Sequence, residues 1–431
     1  MIIKFNKAFR KLPGYLADNP VWCEKMRESI YETRTREELI SLWLDEIEPH
    51  LLQGAWIYVG SASRLPYINK LRSKLTRLVG AEDADQLISN LGCVLYMNMH
   101  SELLASLGPI LGIAQVASGK MDSATYIAQY GHRGPNEFEL SVPRSPEDPA
   151  WFNEQLKRLE IAPVDVEALL RQQRTRFTDA WQRLRANHPY RALLMQHRIK
   201  EAALRNYQRE AGRSEYTRDR WLARAFALQA AHLTSLGDDI FFLTIDELLE
   251  VLAVDATAVD YIAIRKQMHK QYMSLPAYPP FIRGRFEPSR WSTDPKRRID
   301  IYDPYNSILQ DDSSHLQRKV VYGTPVSAGR IEGIVRRLDH PKDGEQLQEG
   351  EILVTALTDI SWTPLFLRAA AIVTDVGAPL SHSAIVAREL GIPAVVGCGN
   401  ATVYLKTGDY VIIDGGLGVV EIIRPTTDHL A

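Results

Sequence analysis

The stretch Ala370-Ala371-Ile372-Val373-Thr374-Asp375-Val376-Gly377-Ala378-Pro379-Leu380-Ser381-His382-Ser383-Ala384-Ile385-Val386-Ala387-Arg388-Glu389-Leu390-Gly391-Ile392-Pro393-Ala394-Val395-Val396-Gly397 decides the reading of this chain. Ala370 to Val373 is a short apolar run of the kind that forms a strand buried on both faces. Gly377 and Pro379 break it into a loop. Ser381 caps a helix that Gly391 and Pro393 stop, and Ala394 to Val396 supplies the next buried strand. Such a strand–helix–strand unit is a right-handed crossover, and it delivers His382 to the first helical turn. That turn carries free backbone N–H groups and the positive end of the helix dipole, so it favours an anion. From spacing alone the histidine reads either as a phosphoryl carrier or as an exposed residue beside a cap.

The wording of the stretch resembles the phosphohistidine (swivelling) domain of the phosphoenolpyruvate-utilising family, which includes phosphoenolpyruvate synthase, pyruvate phosphate dikinase and rifampin phosphotransferase. The match runs from Ser381-His382 to Gly397, within the motif Gly-Gly-x-x-Ser-His-x-Ala-Ile-Val-Ala-Arg-Glu-x-Gly-Ile-Pro-Ala-Val-Val-Gly. The resemblance implies that His382 carries phosphate between two distant sites, with Gly377 and Ser381 in its loop. Two positions depart from the pattern: Ala378 stands at the second glycine, and Ser383 follows the histidine where alanine is common. Neither removes the nucleophile. Ala378 changes how closely the loop backbone approaches a phosphate, since only glycine allows the closest contact.

The chain has 431 residues, of which 45% are hydrophobic, enough for two or three domains with proper cores. A formal net charge of −2 gives no electrostatic case for nucleic acid. Cys23, Cys93 and Cys398 are scattered, so neither a disulfide framework nor a zinc site is expected. The amino terminus lacks the apolar core of a signal peptide, and no run approaches the ~20 apolar residues of a membrane span. A soluble cytoplasmic protein is expected.

Outward from the histidine unit, Gly323-Thr324-Pro325 opens a strand-rich region, and Glu351 to Thr355 reads as a strand. Thr363-Pro364 starts a helix, because proline suits the first helical position. Tyr410 to Ile413 and Val419 to Ile423 read as hairpin strands around Asp414-Gly415-Gly416. Residues 320–425 are therefore expected to form an α/β swivelling domain. Residues 283–319, rich in charge, Pro, Ser and Asp, read as a linker.

Residues 1–282 read as mainly α-helical, the expected acceptor-substrate domain. Glu37 to Leu52, Ile68 to Val79 and Asp85 to Leu91 carry apolar residues near a 3.6-residue period. Gly112…Gly119-Lys120 is no phosphate loop, for its spacing is too long and Met121 stands where Ser or Thr belongs. The irregular stretch Tyr130-Gly131-His132-Arg133-Gly134-Pro135-Asn136-Glu137-Phe138-Glu139-Leu140 concentrates charge between glycines and prolines. It resembles an element in the central helical domain of rifampin phosphotransferase and its relatives, which implies that His132, Arg133 and Glu137 line the acceptor cavity. Leu193 to Tyr207 is an amphipathic helix. Beyond it, Arg209 and Arg213 share one face if the helix persists through Gly212. Two fixed cations suit a transferring phosphoryl group. They resemble the family's catalytic Arg-x-x-x-Lys pair with arginine in place of lysine, which keeps the charge but provides no base. Thr244, with Glu247 three residues on, caps a helix from Ile245.

Members of this family usually carry an ATP-grasp domain or a phosphoenolpyruvate-binding barrel, and neither can be placed here. The expected activity is a dikinase-like phosphotransferase component with no cofactor of its own. ATP and Mg would sit on a separate ATP-grasp-type subunit, and the acceptor would be a small molecule. The rival expectation is a non-catalytic interaction protein bearing His382 as a regulatory mark.

Overall fold

The computed structural model describes residues 8–62, 66–89, 107–161, 166–279, 281–294, 297–299, 301–305, 320–379 and 381–426. Leu91, Cys93, Leu380 and the Asp311–Ser314 part of the 283–319 stretch lie outside them. The chain folds as two compact units. The first comprises 1–64, 122–154 and 205–274, and the second comprises 65–121, 155–204 and 275–431.

The first unit is helical. Leu12–Glu32 opens with a proline in its first turn, and Arg36–Leu42 is started by a full capping box between Thr35 and Glu38. The Glu37–Leu52 periodicity is not one α-helix: Trp43–Ile47 winds as a π-turn before Glu48–Ala62 resumes the α form. Trp43 and Ile47, at the two ends of that turn, are both buried. The helix Pro189–Thr234 runs 46 residues without a break, through Gly212, and its residues from Arg205 on belong to this unit. Its Leu222, Ala225, Phe226 and Ala230 pack with Ile30, Leu39 and Ile47 into the core of this unit. Thr244 and Glu247 form the second capping box, and Arg265 braces that glutamate through both carboxylate oxygens.

The second unit is built on an eight-stranded sheet. In chain order its strands are β3 (Val320–Tyr322), β4 (Thr324–Ser327), β5 (Arg330–Arg337), β6 (Ile352–Thr355), β7 (Ala371–Thr374), β8 (Ala394–Val396), β9 (Tyr410–Asp414) and β10 (Val419–Arg424). A separate parallel pair, β1 (Phe281–Ile282) and β2 (Ile301–Tyr302), flanks the helix Pro288–Thr293. Trp291 of that helix is buried against Phe286, so the described part of 283–319 is folded rather than bare chain.

The large sheet has the order β3-β10-β9-β5-β6-β7-β8-β4. β5 to β8 run parallel, and the expected β9–β10 hairpin is antiparallel. Every residue of β6, β7 and β8 is buried, as the apolar runs require of a sheet covered on both faces. On one face Leu353 and Ile372 pack with Ala384, Ala387 and Leu390; on the other Val354 and Val373 pack with Val335 and Val411.

The helix Val166–Asn187 touches the far end of the helix that His382 begins. Gln173 Nε2 donates to Leu390 O at 3.1 Å, and Arg176 Nη1 donates to Gly391 O at 3.4 Å, satisfying carbonyls that a helix terminus leaves open. Gly391 has φ 69°, and a Cβ there would meet Gln173 Nε2 at 1.2 Å. Gly391→Ala is therefore expected to cost about 1–2 kcal/mol, the left-handed penalty together with the displaced Gln173 bond. Urea denaturation would read this; an unchanged midpoint would show that the contact contributes nothing.

Candidate functional site

β7 ends at Thr374, and the chain enters the loop through Asp375, which is fully buried. Its carboxylate accepts from the Thr402 N–H at 3.0 Å and from the Thr402 hydroxyl, tying the loop to the helix Ala401–Tyr404. Gly377 is required here by close approach: a Cβ would meet Val396 Cβ at 2.7 Å and Ser381 Oγ at 3.2 Å. The Ser381 N–H donates to Ala378 O at 2.9 Å, turning the chain into the helix His382–Leu390. Ser381 is its N-cap, and its hydroxyl accepts from the Ala384 N–H at 3.4 Å. His382 is consequently the first helical residue, only partly buried, where the helix end presents positive partial charge.

A second element holds the ring. Thr363 opens the short helix Thr363–Phe366 on the connection from β6 to β7. Its Oγ1 lies 2.9 Å from His382 Nε2, and the Phe366 ring stands 6.1 Å from the imidazole. A hydroxyl serves as donor or acceptor, so Thr363 fixes the ring orientation in either tautomer. If His382 is the phosphoryl carrier, removing the contact by Thr363→Val is expected to slow its phosphorylation about tenfold, the worth of roughly one hydrogen bond, with little change in stability. A rate equal to wild type would show that the contact does not orient the nucleophile.

In the first unit the structure brings together most of the helical residues named from sequence. The helix does persist through Gly212, so Arg209 and Arg213 stand one turn apart on it. Glu137 pairs with both Arg133 Nε and Arg213 Nη2, the latter at 3.2 Å. Burial works against the Arg213 charge, but Glu137 and Glu210 outweigh it and hold its pKa above the ordinary arginine value. Arg209 pairs with its neighbour Glu210 at 2.9 Å.

His132 Nε2 meets Ser214 Oγ at 2.8 Å. Burial first, then Arg218 and Arg133, pushes the His132 pKa well below the ordinary value, so the ring is neutral. His132, Arg133 and Glu137 are only 1%, 3% and 4% exposed, which places them behind the surface of the unit. A cavity of about 500 Å³ in the same unit has a different lining that includes Tyr15, Asn19, Trp22 and His50.

Beside that cavity lies a group that sequence reasoning missed: Cys23, His50 and Asp219. The three come from helices far apart in the chain, so no spacing announces them. Burial raises the Asp219 pKa to about 7 and lowers that of His50 to about 4. Burial, then the Asp219 carboxylate, pushes the Cys23 thiol up. The contacts of Asp375 with Thr402 and of Thr363 with His382 went unseen for a related reason, since each joins residues distant in sequence.

Among known proteins, the family description "PEP-utilising enzyme, mobile domain" matches residues 347–418. The prodigiosin synthesizing transferase PigC of Serratia marcescens is 31% identical over 313 residues, covering 70% of this chain and 33% of that protein. The rifampicin phosphotransferase of Bacillus subtilis is 35% identical over 185 residues, covering 43% of this chain and 19% of that one. A Staphylothermus marinus protein described as "Probable phosphoenolpyruvate synthase" is 50% identical over 114 residues, covering 25% and 14% respectively. The chain thus spans a third or less of the length of these relatives. Among the described residues, no helix is long and apolar enough to cross a membrane. Residues 347–418 are thus the mobile domain of the phosphoenolpyruvate-utilising enzymes, and the likeness to the prodigiosin synthesizing transferase runs beyond that domain.

Proposed function

We propose that this chain is a phosphotransferase component in which His382 carries a phosphoryl group to a small-molecule acceptor. The observation that carries the reading is His382 itself, at the first position of a Ser381-capped helix with Thr363 on Nε2. A ring nitrogen attacks phosphorus, an N–P bond forms, and the P–O bond to the donor's leaving group breaks. In a dikinase-type scheme, ATP and water give phosphohistidine, AMP and inorganic phosphate. ATP and Mg reside on a separate ATP-grasp-type chain.

An acceptor hydroxyl or carboxyl oxygen then attacks the phosphohistidine. The N–P bond breaks, the acceptor loses its proton, and the imidazole is regained. Arg209 and Arg213 steady the charge on the transferring oxygens. Splitting one transfer into two in-line steps lets donor and acceptor occupy distant sites. The names of the relatives support this reading: two are transferases, of rifampicin in one case and in prodigiosin synthesis in the other. The phosphorylated acceptor is either the product or an activated intermediate for a later condensation.

The test supplies the chain with magnesium and ATP labelled at the β-phosphate, with and without extract from its source. Acid-labile label on the chain, dependent on extract and discharged by its small-molecule fraction, is the expected result. Label acquired without extract would place the ATP site on this chain. Label that small molecules never discharge would favour an interaction protein marked at His382.

A further inference from the structure

We propose that Cys23, His50 and Asp219 form a binding site for a divalent transition metal of the zinc type, with Asn19 as the fourth, oxygen donor. The site lies wholly in the first unit, apart from the phosphohistidine. Its ligands come from three helices: Cys23 and Asn19 from Leu12–Glu32, His50 from Glu48–Ala62, and Asp219 from Pro189–Thr234.

The donor atoms already converge. One ligand atom from each of Cys23, His50 and Asp219 lies within 4.8 Å of the others. Asp219 Oδ1 is 3.7 Å from Cys23 Sγ and 3.8 Å from His50 Nε2. Donor atoms around a tetrahedral zinc are about 3.3–3.6 Å apart, as follows from bonds of roughly 2.0–2.3 Å. The proposal requires the side chains to shift by a few tenths of an ångström, with the His50–Asn19 contact opening by more. Asn19 Oδ1 accepts from His50 Nε2 at 2.6 Å and from Cys23 Sγ at 3.5 Å, so it already takes the place beside both that an ion would share.

The surroundings fit the ligands as well. The Tyr15 hydroxyl donates to Asp219 Oδ2 at 2.6 Å, fixing that carboxylate while Oδ1 faces the cluster. Trp22 stacks on the His50 ring with centroids 3.6 Å apart and an interplanar angle of 12°, which holds the imidazole plane. Gly54 makes room: a Cβ there would sit 2.2 Å from Asp219 Oδ2 and 2.8 Å from the Tyr15 hydroxyl oxygen. Tyr15, Asn19 and His50 also line the cavity, which gives an ion a way in.

A mixed sulfur, nitrogen and oxygen set selects a borderline ion such as zinc over magnesium or calcium, which take oxygen alone. Thiolate and carboxylate together neutralise the two positive charges, as a buried site requires. On binding, Cys23 releases its thiol proton to solvent, and His50 moves its ring proton from Nε2, where it now donates to Asn19 Oδ1, to Nδ1 so that Nε2 can ligate.

The experiment uses the full chain, expressed with added zinc, dialysed exhaustively and analysed for metal, then stripped and titrated with cobalt(II). We expect about one zinc per chain and, with cobalt, a thiolate charge-transfer band in the near ultraviolet. Cys23→Ser abolishes the band, while Tyr15→Phe, which spares every ligand, weakens cobalt binding roughly tenfold or more. Circular dichroism checks that each variant is folded. A dialysed chain with no zinc and no cobalt band, or a band that survives Cys23→Ser, would overturn the proposal and leave a closed hydrogen-bonded cluster.

Discussion

A His382→Ala chain takes up no phosphate and supports no transfer, a loss on the order of 10³-fold or more. On the proposed reading the imidazole nitrogen links the two half-reactions, and alanine puts no nucleophile in its place. Stability changes little by comparison. His382 is partly exposed at a helix start, and its removal takes the imidazole partner from the Thr363 hydroxyl, at about 1 kcal/mol. A folded but inert chain is therefore expected, measured by urea denaturation alongside phosphate incorporation. Phosphate uptake by the alanine variant would place the acceptor atom elsewhere.

The second large effect concerns Glu137 and falls on stability. Glu137 lies between Arg133 and Arg213, its side chain and that of Arg133 almost wholly buried. Glu137→Leu leaves two cations facing each other without their shared counter-charge. Breaking a buried pair in this way costs about 3–5 kcal/mol, far more than the pair's net contribution to folding. The effect should appear as a lowered denaturation midpoint. Arg213→Ala removes one end of the same arrangement but leaves Glu137 paired with Arg133, so its stability loss is smaller. If Arg213 steadies the phosphoryl group, that variant still accepts phosphate on His382 yet discharges it slowly. Equal destabilisation by both variants would contradict the bridging role of Glu137, and normal discharge by Arg213→Ala would remove Arg213 from the transfer step.

Legibility followed the range of the interactions. The buried strands on either side of His382, the Ser381 cap and the Gly391 stop are set by residues a few positions apart, so the sequence showed them with near-correct boundaries. The two capping boxes at Thr35 and Thr244 rest on equally local chemistry, and the second was expected. The continuity of Pro189–Thr234 through Gly212 was open, because one glycine costs a helix only about 1 kcal/mol and packing outweighs it.

Where the fold depends on distant partners, periodicity failed. The π-turn at Trp43–Ile47 inserts a residue that no apolar period signals. The grouping of residues 65–121 and 155–204 with the sheet is likewise set by contacts such as Gln173 with Leu390, 217 positions apart. The Cys23–His50–Asp219 cluster is the extreme case. Asp219 sits 196 residues beyond Cys23, and an isolated cysteine in sequence gives no hint of its neighbours.

The central claim is that His382 carries the phosphoryl group. Its most direct test is peptide mass spectrometry of the wild-type chain after incubation with ATP, magnesium and source extract, under alkaline conditions that preserve phosphohistidine. One added phosphate, stable to base and labile to acid, on the peptide containing Ser381-His382-Ser383 and assigned to His382 by fragmentation, is the result predicted. Phosphate on Ser381 or Ser383 that survives acid, or a folded chain that stays unmodified in an active extract, would contradict the account.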